Sequence, residues 1–470
     1  MSNPGEHNSN VIESFQQMAD VLAAGARPRQ EWRIGTEHEK FGFVLPDAAG
    51  PQRRAWSSPP YAPQGIEALL RDLAGENGGA RWQEIIDRDA LIGLKGAADA
   101  KGCSISLEPG GQFELSGAPL ASLHETAAEM DRHFASIRKP CNELGIGFAP
   151  IGFHPTATRA DIPWMPKSRY AIMRNYMPRV GTLGLDMMLR TCTVQVNLDF
   201  GSEADMARKM RVSLALQPVA TALFASSPFY EGKPNGLLSN RAQVWTDTDN
   251  ARSGMPHLFL RDGFSFAAYV NWLLDVPMYF VTRDDRMIDV AGCSFRAWLD
   301  GRDLPGLEGE RPTIGDFEDH LTTVFPDVRL KQFLEMRGAD AGSPAMMLAQ
   351  SALWTGILYD DATLHAAEKL VLEHGWDDYS AIRAAVPRTG LDTPWGQGDL
   401  RGVAARMVEL ATDGLRARAC RDAHGQDETR YLDPLREIVS GGPTQAEAWL
   451  AAYHGRWKGD VTRIFAEAAV

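Results

Sequence analysis

The stretch TCTVQVNLDF, residues 191–200, alternates polar and apolar side chains without exception. Thr191, Thr193, Gln195, Asn197 and Asp199 fall on one parity, and Cys192, Val194, Val196, Leu198 and Phe200 on the other. A period of two is met only by a β-strand, because a helix would scatter these residues around its axis. One face of this strand therefore belongs to a core and the other is polar. CSISLEPGGQFELSG repeats the pattern, with Ser104, Ser106, Glu108, Gln112, Glu114 and Ser116 set against Ile105, Leu107, Phe113 and Leu115. It reads as a hairpin. Facing residues of a hairpin share a face, so the pairing requires a loop of odd length such as Pro109-Gly110-Gly111, which aims Glu108 and Glu114 the same way.

Two further segments add to this polar face. In RIGTEHEKFGFVLP, Glu37 and Glu39 share a parity opposite Ile34, although Phe41 weakens the alternation, and His38 between them points away. In LKQFLEMRGAD, Glu335 and Arg337 lie opposite Leu334 and Met336. In one antiparallel sheet these strands would present five carboxylates, two amides and an arginine on a single face. A polar side facing water is ordinary for any one antiparallel strand. Solvated strands favour Thr, Lys and mixed charge, however, and here glutamate recurs with little Lys beside it. Carboxylates gathered without neutralisation repel and raise one another's pKa, so a hard divalent cation is the natural counter-charge. Oxygen-only donors suit Mg²⁺, with Mn²⁺ as the alternative, better than zinc. Several Mg²⁺ ions bridging phosphate oxygens are what phosphoryl transfer requires, which directs the reading to nucleoside triphosphate chemistry.

Composition removes other classes. A formal charge of −13 over 470 residues disfavours nucleic acid and anionic membranes as partners. No apolar run approaches the roughly 18 residues of a membrane span. The N-terminal MSNPGEHNSN lacks both a basic start and an apolar segment, from which a cytoplasmic address is expected. Five widely spaced cysteines without a CxxC pair are expected to be reduced thiols, and Cys192 sits on the core parity. No Walker-type phosphate loop is present, GIGFAPIGF is a poor dinucleotide fingerprint, and Gly110-Gly111 reads as a turn.

The pattern along the chain predicts an α+β protein with a curved, mainly antiparallel sheet flanked by helices, in one catalytic body over 1–470. Residues 26–343 form its sheet-bearing core and 344–470 a helical C-terminal cover. Helices are expected over VIESFQQMADVLAAG up to Gly25, over GIEALLRDLAG, from Ser122 to Leu144 and from Glu203 to Ala225. The later helices are expected near 344–360, 362–375, 398–417, 427–440 and 444–468. Residues 46–64 read as a loop, and 226–263 as an irregular stretch long enough to be a lid.

The blocks GTEHEKFGF, SISLEPGGQFELSGAPL, MRNYMPRVGTLGLDMM, TCTVQVNLDF, EGKPNGLLSNRAQVWTDTD, DVPMYF and LEMRGAD together resemble glutamate–cysteine ligases of the plant and proteobacterial type. The resemblance runs colinearly from about residue 30 to 360. It implies the glutamine-synthetase-like catalytic fold and an enzyme of glutathione biosynthesis. In that reaction ATP phosphorylates the γ-carboxylate of L-glutamate and the amine of L-cysteine attacks the acyl phosphate. It also implies two or three Mg²⁺ ions on Glu37, Glu39, Glu108, Glu114 and Glu335, and Arg337 at the transferring phosphoryl group. Arg241 would hold the α-carboxylate of glutamate, with Tyr279 near the amino acid. Gln195 and Asn197 would lie beside the nucleotide. Lys40, Arg179, Arg190 and Arg252 are further candidates for anionic groups, Lys40 and Arg179 being equally suited to structural ion pairs. Ala127, Val290 and Leu348 stand where plant members carry regulatory cysteines, so oxidation is not expected to control activity, and monomer and homodimer both stay open. The competing readings are a related ligase with another amine acceptor, a metal-dependent hydrolase, and a non-catalytic nucleotide-binding regulator.

Overall fold

A nine-stranded antiparallel sheet organises the computed structural model, which describes residues 8–51, 53–75, 81–284 and 286–470. Its strands are β1 (Ile34–Val44), β2 (Trp82–Asp87), β3 (Ala90–Gly96), β4 (Ser104–Leu107), β5 (Phe113–Ser116), β6 (Ile146–Ala149), β7 (Thr193–Leu198), β8 (Val328–Leu330) and β9 (Leu334–Asp340). They lie in the order β8-β9-β7-β1-β5-β4-β3-β2, and β6 pairs with the far half of β1. Every residue of β1 is buried, so its polar side is covered by protein and is not a solvated outer face.

Register lines the polar parity into rows across the strands. Ser106, Glu114 and Glu39 form one row, and Ser104, Ser116, Glu37 and Gln195 the next. Asn197 faces both Gly35 and Glu335 in a third. The β4–β5 pairing puts Leu107 opposite Phe113, and the Glu108 N–H donates to the Gln112 carbonyl at 3.0 Å, which is the odd-loop register expected from parity. Gly111 closes the turn at φ +83, where a side chain would be strained. The Gln112 amide braces that turn, accepting from Gly110 N–H (2.8 Å) and donating to the carbonyls of Met188 and Thr191.

Six helices position the site: α1 (Leu123–Leu144), α2 (Ser168–Tyr176), α3 (Glu203–Leu223), α4 (Asn240–Val244), α5 (Pro344–Leu358) and α6 (Trp376–Thr389). The Ser122/Glu125 capping box starts α1, and Gly145 ends it in the left-handed conformation. From the apolar side α1 reaches β1, α5 reaches β1 and β7, and α3 packs along β9. Thr36, on the apolar parity of β1, meets Ser351 of α5 at 2.7 Å between hydroxyls. His38 turns toward His133 and Phe134 of α1, away from the glutamates.

The chain departs from its pattern in several places. The β2–β3 hairpin was not signalled, because WQEIID is half exposed and lacks a clean alternation. The segment with Pro and Gly punctuation contains α2 and a second helix, Gly184–Arg190. Where one helix is expected over 362–375, the structure has Asp361–Val371 followed by α6. The helix expected over 444–468 is broken into Gln445–His454 and Arg463–Glu467, with Gly459 at φ +85 between them. Residues 427–440 begin as a 3₁₀ turn, Glu428–Leu432. The stretch 226–263 carries α4, two short strand pairings and a 3₁₀ turn. It is pinned by Asp340, which accepts from Ser226 N–H (2.9 Å), Ser227 Oγ (2.6 Å) and Ser239 Oγ (2.8 Å). The N-terminal residues 1–7, on which the expected address rests, and residue 52 of the 46–64 loop lie outside the described residues.

Candidate active site

Cross-strand pairing sets Glu39 directly beside Glu114, and the β4–β5 turn brings Glu108 to the same place. One carboxylate oxygen from each lies within 4.8 Å of the others. Glu114 is held by Ser106 Oγ and Ser116 Oγ, each donating at 2.9 Å, and Glu39 accepts the Thr193 N–H at 2.9 Å. The Glu108 Oε1 atom is buried without a hydrogen-bond partner.

The electrostatics follow from this crowding. Burial, and then the charge of Glu114, push Glu39 up to about 8. Burial followed by the charges of Glu114 and Glu39 raises Glu108 well above the usual carboxylate range. Glu37 is raised too, mainly by burial. Burial opposes ionisation of Glu114 as well, hydrogen bonds from Glu37, Ser106 and Glu108 favour it, and this carboxyl is held low. Burial and mutual repulsion thus call for a positive counter-charge among these carboxylates. A hard divalent cation fits the same place: three oxygen donors converge, and Glu108, which supplies one of them, has an orphaned carboxylate oxygen.

Glu335 stands apart from these three. Arg329 on β8 grips it with Nε at 2.7 Å and Nη2 at 2.9 Å, Lys331 Nζ lies at 3.5 Å, and Arg337 Nη1 donates to it. Burial alone would raise its pKa, and the charges of Arg329, Lys331 and Arg337 drive it well below the ordinary value. The expected fifth carboxylate of a metal floor is therefore the centre of a cationic clamp. Glu37 sits between the two groups and accepts from Asn197 Nδ2 at 2.8 Å.

Arg337 is aimed by a bulge, for the β9 register with β7 slips between Met336 and Ala339. The bulge residue Gly338 donates its N–H to Gln217 of α3 at 2.8 Å, and a Cβ there would lie 2.3 Å from that side chain. Arg337 also donates to Gln195. Arg241 of α4 is buried and donates through Nη2 to the Arg337 carbonyl at 2.8 Å. Glu39, Glu108, Glu114, Gln195, Arg241 and Arg337 line a common cavity of 60 Å³, and the Arg329 side chain borders it.

Other candidates are engaged elsewhere. Arg190 spends its donors on Asp186, the Ala157 carbonyl, Glu231 and Tyr230, beside the stacked Phe153 and Tyr230 rings. Arg252 is tied to Asp249 at 2.6 Å and to the carbonyls of Thr323 and Pro277, and it lies 3.7 Å from the centre of the Tyr279 ring. Tyr279 is fully buried beneath it and does not line the cavity. Arg179 is exposed over the Tyr176 ring. Lys40 shares the parity of His38, so it points behind the sheet. There its Nζ lies 3.1 Å from both His38 Nδ1 and His133 Nε2, and burial brings its pKa down to about 7. Parity already separated Lys40 from the glutamates. Arg329 and Lys331 carry the same odd parity as Glu335 across the β8–β9 turn, a signal present in DVRLKQFLE. Asp327 and Arg383, which border the adjoining space beside Arg241 and Arg337, had no local signal.

Known proteins resemble this chain in sequence and in fold. The sequence profile of glutamate-cysteine ligase family 2 matches residues 33–467. A chloroplastic glutamate–cysteine ligase of Medicago truncatula is 49% identical over 452 residues, covering 96% of this chain and 84% of that protein. The Arabidopsis thaliana chloroplastic enzyme is 50% identical over 452 residues, covering 96% and 82%. Among solved structures, a Francisella tularensis glutamate–cysteine ligase in complex with AMP aligns with a TM-score of 0.52 at 12% identity, over 93% of this chain and 89% of that one. A bifunctional glutathione synthetase from Pasteurella multocida gives 0.50 at 13% identity, over 98% and 53%. The structural likenesses bear out the glutamine-synthetase-like fold. The cytoplasmic expectation is corrected: these plant relatives are named chloroplastic, and a polar N-terminal stretch says nothing against that.

Proposed function

The chain belongs to glutamate-cysteine ligase family 2, and from that premise we infer that it joins the γ-carboxylate of L-glutamate to the amine of L-cysteine at the expense of ATP, forming γ-glutamylcysteine for glutathione biosynthesis. The observation that carries this reading to the site is the meeting of Glu39, Glu108 and Glu114 with Arg241 and Arg337 around one cavity. Glu39, Glu108 and Glu114 would hold Mg²⁺, with Glu37 adjoining and Glu335 reachable only by exchange of its clamp. Two or three ions are proposed, Mn²⁺ being the alternative. Bound there, the metal would neutralise the polyphosphate and draw charge from the transferring phosphoryl group.

The protein's own groups account for the remaining requirements. Arg241 pairs with the α-carboxylate of glutamate and fixes the reach of its γ-carboxylate. That carboxylate forms a bond to the terminal phosphorus of ATP as the bridging P–O bond to ADP breaks. Arg337, whose fork matches phosphate oxygens, stabilises the charge developing there. The cysteine amine then attacks the acyl carbon, loses a proton, and inorganic phosphate leaves. The stretch 226–263, which carries Arg241 beside the cavity, would shield the acyl phosphate from water, which favours a ligase over a hydrolase. Residues 344–470 complete a single catalytic body, α5 covering the apolar side of β1 and β7 and α6 bracing the segment that carries Arg241. ADP release in the presence of Mg²⁺, glutamate and cysteine, with the product identified by mass, tests the assignment. Preference for another acceptor would replace cysteine, and ATP hydrolysis indifferent to both amino acids would overturn the ligase reading.

A further inference from the structure

The segment that delivers Arg241 is fastened to the C-terminal region. From residue 236 to 257 it runs along α6. The carbonyl of Pro387 accepts the N–H groups of Leu238 (2.7 Å) and Ser239 (3.1 Å), and Arg388 donates to the Gly236 carbonyl at 3.2 Å. At the other end of α6, the Trp376 indole donates to the Met255 carbonyl at 3.2 Å. Between these anchors stands Arg383, one turn before Pro387. Its guanidinium meets the Asp327 carboxylate through two bonds, Nε at 2.6 Å and Nη2 at 3.0 Å, and reaches the Trp245 carbonyl at 3.4 Å.

Asp327 is in turn bonded on both sides of its backbone. Its N–H donates to the Gly254 carbonyl at 2.7 Å, and its carbonyl accepts the Arg337 N–H at 3.0 Å. Gly254 has φ +86, and a Cβ there would lie 3.7 Å from the Arg383 guanidinium carbon. The Arg337 carbonyl accepts from Arg241. One guanidinium thus joins α6, both ends of the 245–254 stretch, and the residue that fixes the backbone of Arg337. An isolated ion pair near the surface contributes little to stability. Here the bidentate fork fixes direction as well as distance.

We propose that Arg383 is a positioning residue for the ligation: through Asp327 and the Trp245 carbonyl it sets where Arg337 and Arg241 stand relative to each other, and so orients the acid substrate against the phosphoryl group. This rests on the roles given above to Arg241 and Arg337. Misplacement of about 1 Å in such a pair costs on the order of 100-fold in rate. Arg383→Met and Asp327→Asn are therefore expected to raise the KM for glutamate at least about tenfold, while the KM for ATP moves less than about twofold. The double variant should be no worse than either single one, because both remove the same contact. Arg383→Lys keeps the charge without the fork and should fall between parent and Arg383→Met.

Steady-state kinetics with each substrate varied in turn, on the full chain with Mg²⁺, decides the matter. An unchanged glutamate KM in a folded Arg383→Met, or equal changes in every KM, would overturn the positioning role, and additive effects in the double variant would do the same. Should Arg383→Met not fold, Arg383→Lys carries the same test: a parent-like glutamate KM in it overturns the proposal. A parent that makes no ADP with glutamate and cysteine would refute the proposed function instead. An active parent with parent-like Arg383 variants would refute this inference alone.

Discussion

Replacing Glu335 by Gln tests whether this carboxylate is chiefly the anchor of a cationic clamp. In the native protein one negative charge is shared by Arg329, Lys331 and Arg337, and Glu335 is fully buried. Gln keeps the shape and one acceptor oxygen, so one Arg329 bond survives while the other faces an amide donor. Three cations then remain within reach of one another without their anion. Breaking a buried pair by removing one partner costs about 3–5 kcal/mol, most of it from the charge left behind. Arg329→Met leaves Glu335 with two cations, but strands the carbonyls of Thr322 and Val324, each a 3.2 Å acceptor. That adds about 1–3 kcal/mol per unsatisfied buried group. The double variant removes both charges, so it should be less destabilised than the sum of the singles by about 2 kcal/mol or more. Urea unfolding in Mg²⁺-free buffer, at constant m, measures all four proteins. The absence of metal matters, since no ligand role can then contribute. A loss below about 1 kcal/mol for Glu335→Gln, or strict additivity in the cycle, would refute the clamp.

Three other outcomes are expected. Glu108→Gln should leave the fold intact, because Oε1 has no partner to lose and an amide can still donate to Glu114, yet reduce ADP release at least about 100-fold and raise the Mg²⁺ concentration needed; parent-like Mg²⁺ dependence would contradict this. His320 is buried against Phe295, donates through Nε2 to the Leu273 carbonyl at 3.0 Å and has Nδ1 3.3 Å from Thr323 Oγ1; burial, then the charge of Arg252, bring its pKa down from 6.5 to about 4. Between those values the unfolded chain binds one proton more, so the contribution is present above pH 6.5 and lost as pH falls toward 4. Stability of the parent should therefore drop more steeply than that of His320→Gln, by about 1.4 kcal/mol per pH unit at most. Parallel pH profiles of the two urea midpoints would disprove it. Finally, reductant should leave the rate unchanged, because all five cysteines are free thiols and Val290 and Leu348 are buried apolar residues; a clear rise or fall on adding dithiothreitol would refute that.

Much of the site was written in strand parity. Glu39 and Glu114 became cross-strand neighbours because both are odd or even in step with their registers, and the odd hairpin loop followed from the same requirement. Parity also put His38 and Lys40 on one side, and Lys40 indeed lies behind the sheet, on the face away from the glutamates. The resemblance named Arg190 and Tyr279 without saying where their donors go. Arg190 is fully engaged by Asp186, Glu231 and Tyr230, partners separated from it by 4 to 41 positions.

The sequence by itself determined which residues share the polar face, since alternation is a local property of an extended backbone. It determined the family and hence the reaction, because long colinear blocks survive where a chemistry has to be preserved. Only the tertiary structure decided how those residues divide. Register slips at Gly338, the Arg329 fork and the Gly111 turn separate Glu335 from Glu39, Glu108 and Glu114, and none of these distances follows from spacing along the chain. Likewise the link from Arg383 to Arg241 crosses from the C-terminal helices to the sheet. It exists because folding packs α6 against a segment more than a hundred residues earlier, which no local pattern records.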